Sequence, residues 1–231
     1  MAFLSEQGVV PGTPGGPFAL WTHLRSSSQD RQNQAFHGLL KASDSPVDWG
    51  YEEWDDLLRT LVDGDNRQRA IAAQVLSNLA KSDPKERMIR DLSVLLGVTK
   101  DERFVTARHC LQSLWKVGAA GEPPRKALLK GLAVRFRECA AEKNCTLIRY
   151  DILVVLRRVY DVVNEDEHFR SIAERLIASR GGRQVPEVVC HRVAQMNPTP
   201  WTRGKRRSVD LFSVGVAGNP ECWMASHLRV G

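Results

Sequence analysis

Apolar residues recur at spacings of three and four from Trp21 to Ser179, with no convincing run of strict alternation, so this span reads as helical throughout. The punctuation between the periodic segments divides it into helices. Gly64 can close one helix while Asp65 caps the next, which runs through Ala72, Ala73, Val75, Leu76 and Leu79. Asp83 followed by Pro84 predicts a cap and a proline at the first helical position, and Gly97 marks the stop of that helix. Thr99 with Glu102 three residues later predicts a capping box, opening a helix that ends near Gly118. Pro123 and Pro124 open another, Asn144 caps the next, and Asn164 with Glu165 to Glu167 starts the last. Seven or eight helices of roughly 10 to 18 residues emerge, and the short loops between them force neighbours to lie antiparallel.

The helices repeat. A shift of 35 residues lays Leu57 on Leu92, Leu61 on Leu96, Ala72 on Ala107, Leu76 on Leu111 and Leu79 on Leu114. A further shift of 42 lays Leu111 on Leu153 and Leu114 on Leu156, with a longer insertion around residues 138–144. Two-helix units at such a period cannot bury their apolar faces alone and must stack, so the fold class is all-α, an α-solenoid of about three to four helix pairs.

The run from Leu57 to Ala80, LLRTLVDGDNRQRAIAAQVLSNLA, resembles the consensus of HEAT-repeat proteins of the armadillo-like class, which form an armadillo-type superhelix. It has paired leucines in the first helix, Asp63 at the turn, Arg69 six positions on, then Ala72, Ala73 and Leu76. The resemblance covers roughly residues 50–178, with a degenerate leading pair over residues 20–41, and is to uncharacterised bacterial HEAT-repeat proteins. It implies that Asp63 and Arg69 form a structural ladder between neighbouring repeats. The second unit departs from this pattern, with Val98 and Phe104 at the corresponding positions.

Charge and composition set the domain boundaries. Residues 1–17 form a flexible leader, since residues 8–17 alone hold Gly8, Pro11, Gly12, Pro14, Gly15, Gly16 and Pro17; residues 18–180 form the solenoid. Residues 181–231 lack helical periodicity and carry 7 Lys+Arg against 3 Asp+Glu, which is +4 of the whole chain's +6. Codon degeneracy lets residues 181–194 be encoded by DNA whose neighbouring frame reads as a helical segment, so this irregular basic tail is expected to be a frameshifted translation, a point settled by sequencing the locus. The near-neutral remainder, with both signs interspersed, reads as solvated helix faces more than as a phosphate-tracking surface. No stretch has the apolar length of a membrane helix and none resembles a signal peptide, so a cytoplasmic protein with no membrane association is expected. Cys110, Cys139, Cys145, Cys190 and Cys222 contain no Cys-x-x-Cys pair and read as reduced thiols. Metal ligation by Cys139 with Cys145, or at Cys190 and His191, is the alternative weighed against ordinary packing.

Candidate chemistry lies on the second helices, which line the inner face of a solenoid. Following the repeat shifts, one column reads Lys81, Lys116, Arg158 and its neighbour Gln74, His109, Asp151. The basic column suits an acidic peptide, a protein partner or phosphates, and equally suits three cations stabilising the C-terminal ends of their own helices. No nucleophile is placed beside His109, and no phosphate-binding glycine loop, metalloprotease helix or paired catalytic carboxylates occur. The expectation is a non-catalytic scaffold or adaptor for a protein or peptide, monomeric and needing no cofactor. The alternative is a HEAT-like DNA-binding protein or alkylpurine DNA glycosylase. It rests on Asp48, Trp49 and Trp54 with Arg67, Arg69, Arg103, Arg108 and Arg149. The tail adds a short basic run, Arg203, Lys205, Arg206 and Arg207.

Overall fold

The computed structural model describes residues 20, 22–24, 26, 28–163, 171, 172, 175 and 176. The leader, the tail and the expected Asn164 cap lie outside these residues. The described chain is all-α: α1 (Gln29–Ala42), α2 (Gly50–Asp63), α3 (Asn66–Leu79), α4 (Arg87–Val98), α5 (Phe104–Ser113), α6 (Trp115–Ala119), α7 (Glu122–Glu138) and α8 (Cys145–Val163). Short 3₁₀ turns at Ala80–Ser82 and Cys139–Ala141 follow α3 and α7. No described helix is long and apolar enough to cross a membrane.

The packing follows two rows. α2, α4 and α7 touch in succession, and so do α1, α3, α5 and α8, while α2 pairs with α3 and α6 wedges against α7 and α8. The apolar register is that of the sequence shifts. Leu79, Leu114 and Leu156, equivalent positions of successive pairs, are 0%, 0% and 1% exposed. Each such burial is worth roughly 1.5–3 kcal/mol. Gly118 lets α6 approach α8, because a Cβ there would lie 2.6 Å from a Val159 methyl.

Polar side chains bridge between pairs at a similar spacing. The Trp54 indole donates to Asp91 across 37 residues at 3.0 Å, the Tyr51 hydroxyl to Asp83 across 32 at 2.5 Å, and Thr106 to the Asn66 carbonyl across 40 at 2.9 Å. The Ser77 and Ser113 hydroxyls meet at 2.9 Å, 36 residues apart.

Helix boundaries agree with the sequence at some ends and depart at others. Asp65 caps α3 in a reciprocal box with Gln68, and Pro123 and Pro124 stand in the first turn of α7. The Thr99 box does not form. The Thr99 hydroxyl donates back to the Leu96 carbonyl at 2.6 Å, and α5 starts at Phe104. Asp83 does accept the first amides of α4, those of Arg87 at 3.0 Å and Met88 at 2.7 Å, but from four and five residues ahead. Pro84 therefore sits before the helix, and Glu86 takes a left-handed φ of 53° to turn the chain into it. The helix expected to run to Gly118 is divided at Leu114 into α5 and α6.

Candidate functional site

The basic column occupies one stretch of the second row. Lys81 lies in the 3₁₀ turn after α3, Lys116 in α6 and Arg158 in α8. Each belongs to a different helix pair. The exposed Lys81 ammonium donates to the Asp44 carbonyl, and Lys116 donates to the side-chain oxygen of Asn78, a residue only 1% exposed. Asn78 is itself fixed by donating to the Ser43 hydroxyl at 2.9 Å. Lys116 is therefore held from the neighbouring helix pair. Its pKa is lowered, first by burial and then by the positive charge of Lys81, with the Asp44 carboxylate opposing and Arg158 adding a smaller lowering. Lys81 is lowered as well, by burial, with the Asp44 carboxylate opposing.

The Trp115 ring joins the group. The Lys116 ammonium sits 5.8 Å and the Arg158 guanidinium 6.0 Å from its centroid. This aromatic was not read as a site residue, although its place beside Lys116 in sequence was the available signal. Helix-end electrostatics accounts for only part of the column. Lys81 and Lys116 stand in the last turns of short helices, whereas the last turn of α8 holds no cation and Arg158 precedes it.

The second column separates. Gln74 turns back to donate to the Ala70 carbonyl of its own helix at 3.0 Å. His109 is half-buried, and its pKa is lowered by burial and by the adjacent Arg108 charge, leaving it neutral at pH 7. Asp151 is 1% exposed and so belongs to the α5–α8 contact, not to an interaction surface. It accepts from Arg108 Nε at 2.9 Å and from Gln112 at 3.3 Å. Burial still outweighs these partners and raises its pKa.

Asp63 and Arg69, expected to form a ladder, are not paired with each other. Arg69 donates to the Asp101 carboxylate at 2.6 and 3.2 Å and to the Gly64 carbonyl at 2.6 Å. Asp63 is exposed and takes no part. The α4–α5 turn carries its acid three residues beyond Val98, the position that the repeat shift aligns with Asp63. From the other side Arg135, 3% exposed, donates to the Thr99 carbonyl of that turn at 3.0 Å and to Glu142 at 2.5 and 2.8 Å.

The residues raised for DNA are mostly engaged elsewhere. Trp54 is 0% exposed, Trp49 packs half-buried against the core, and Asp48 is exposed. Arg69 and Arg108 are paired with Asp101 and Asp151. Arg67 donates to Asn33 at 2.6 Å, and Arg149 donates to the Phe136 carbonyl at 3.2 Å. Among the described residues no group of three or more His, Cys, Asp or Glu side chains is placed to hold a metal ion. No protein-family model and no curated protein matches this chain.

Proposed function

We propose that the chain is a HEAT-like α-solenoid acting as a non-catalytic scaffold, and that it holds an acidic protein or peptide segment along Lys81, Lys116 and Arg158. The observation that carries this reading is that Lys81 and Arg158, from the two flanking helix pairs, both act on Lys116, with Arg158 and Lys116 sharing the Trp115 ring and none of the three in a side-chain ion pair among the described residues. Like charges gathered this way cost folding stability, and a site that tolerates such a cost gains by receiving an anion. Trp115 adds a flat apolar surface between two of the cations, suited to the aliphatic part of a bound segment. The solenoid assignment is supported by the two rows of helices and by bridging hydrogen bonds that recur at separations of 32 to 43 residues.

Phosphates would be drawn to the same column, so the test sets a peptide against DNA. Fluorescence anisotropy of a labelled oligoglutamate peptide and of a labelled duplex is followed with the full chain and with Lys81→Glu/Arg158→Glu. The expected result is peptide binding at low salt that the double variant weakens tenfold or more. Duplex binding that exceeds peptide binding, depends steeply on salt and is lost in the same variant would replace this reading with nucleic-acid recognition. Peptide binding unchanged by the double reversal would place it elsewhere, on the basic run at Arg203 to Arg207 first of all.

A further inference from the structure

Cys139 and Cys145 bracket the turn between α7 and α8, and their sulfurs lie 3.3 Å apart. Cys139 is in the 3₁₀ turn that ends α7, buried, with its thiol directed at the Phe136 carbonyl at 3.3 Å. Cys145 is the first residue of α8 and is partly exposed. A disulfide has its sulfurs about 2.05 Å apart. Bond formation therefore needs the two sulfurs to approach by about 1.2 Å within the turn.

We propose that Cys139 and Cys145 are a paired modification site, which exchanges with a low-molecular-weight disulfide to close an intramolecular disulfide across the α7–α8 turn. Cys145, the sulfur open to solution, gives its proton to water. Its thiolate attacks one sulfur of the external disulfide, forming a mixed disulfide and releasing one thiolate. Cys139 then loses its proton and attacks the Cys145 sulfur, the new bond forming as the second external thiolate leaves. Two protein thiols are oxidised and one external disulfide is reduced to two thiols.

The surroundings divide the roles. Burial pushes the Cys139 thiol up to about 11, helped by its contact with Cys145, while the Arg149 and Arg135 charges favour its thiolate. Cys139 is thereby the slow, protected partner that resolves a bond already made at Cys145. Cys110, wholly buried and donating to the Leu95 carbonyl at 3.3 Å, has no cysteine neighbour among the described residues. The turn that would be closed contains Glu142, the partner of Arg135, so oxidation fixes the segment through which α7 grips the α4–α5 turn.

The test treats the folded full chain with oxidised glutathione, quenches with acid, alkylates the remaining thiols and digests with trypsin. Cleavage after Arg137, Lys143 and Arg149 puts Cys139 in residues 138–143 and Cys145 in residues 144–149. The expected product is these two peptides joined, two hydrogens lighter than their sum. In Cys139→Ser the glutathione adduct should accumulate on Cys145. Separate alkylated peptides, a stable adduct on Cys145 in the wild type, or preferential links to Cys190 or Cys222 would overturn the assignment. An unreacted Cys145 in Cys139→Ser would overturn the proposed order.

Discussion

Replacing Arg135 by Met removes one charge and exposes how the α4–α5 turn is held. The side chain is 3% exposed and comes from the last turn of the first-row helix α7. Its guanidinium serves two partners of different kind. The Thr99 carbonyl belongs to a residue that is 0% exposed, so the methionine leaves a buried acceptor without its donor, at a cost of about 1–3 kcal/mol. Glu142 has a 42% exposed side chain and regains water, which keeps the ion-pair loss nearer the surface range of about 0.2–1 kcal/mol than the buried range. The methionine stem retains most of the apolar packing. The sum is a destabilisation of about 1.2–4 kcal/mol, which at a urea slope of about 2 kcal/mol per molar moves the midpoint down by roughly 0.6–2 M. Urea unfolding followed by circular dichroism measures it. The pH dependence adds a second check. Arg135 holds the Glu142 carboxyl below its usual range, so this contribution is present above the ordinary value of about 4.3 and is lost as pH falls through the lowered one. Arg135→Met should flatten that acid limb. A midpoint within about 0.3 M of the wild type, with the acid limb intact, would refute the claim that Arg135 ties the two turns together.

Asp151→Asn keeps an acceptor for Arg108 and removes a carboxylate whose pKa burial has raised. The carboxyl's stability contribution is full below about 3.9, where it is protonated, and declines as pH rises through the raised value and the buried group ionises, so the variant should equal or exceed the wild type by up to about 1 kcal/mol at pH 7. Its stability should also be flatter from pH 4 to 7; a loss of 2 kcal/mol or more would contradict this. Gly118→Ala forces a methyl to 2.6 Å from Val159 and 3.2 Å from Leu128. Thermal unfolding should report a loss of about 1–3 kcal/mol, largely recovered in Gly118→Ala/Val159→Ala, and no recovery would place the strain elsewhere.

Helix identity and apolar register could be read from the chain because both depend on local spacing, as the equivalent Leu79, Leu114 and Leu156 show. Asp65 was legible for the same reason, its partners lying within one turn. The Thr99 box failed because two arginines from neighbouring units hold that turn, Arg69 through Asp101 and Arg135 through the Thr99 carbonyl. A repeat shift aligns helices but not turns of unequal length, so it put Val98 where Asp101 supplies the carboxylate. For the candidate site, the shift suggested Lys81, Lys116 and Arg158 and equally Asp151, which is buried. The two columns stand seven residues apart, about two helical turns, and the period alone does not say which residue of either is buried against a neighbouring helix.

The most direct measurement is the titration of the Lys116 ammonium by NMR in selectively carbon-13-labelled lysine, with assignment by Lys116→Arg, in the free protein and with a saturating oligoglutamate peptide. The account predicts a Lys116 pKa below the ordinary lysine value of about 10.4 in the free protein, rising on addition of the peptide as its carboxylates offset Lys81 and Arg158. A Lys116 resonance that titrates normally, or one that the bound peptide leaves unmoved, would contradict the claim that this column receives an acidic segment.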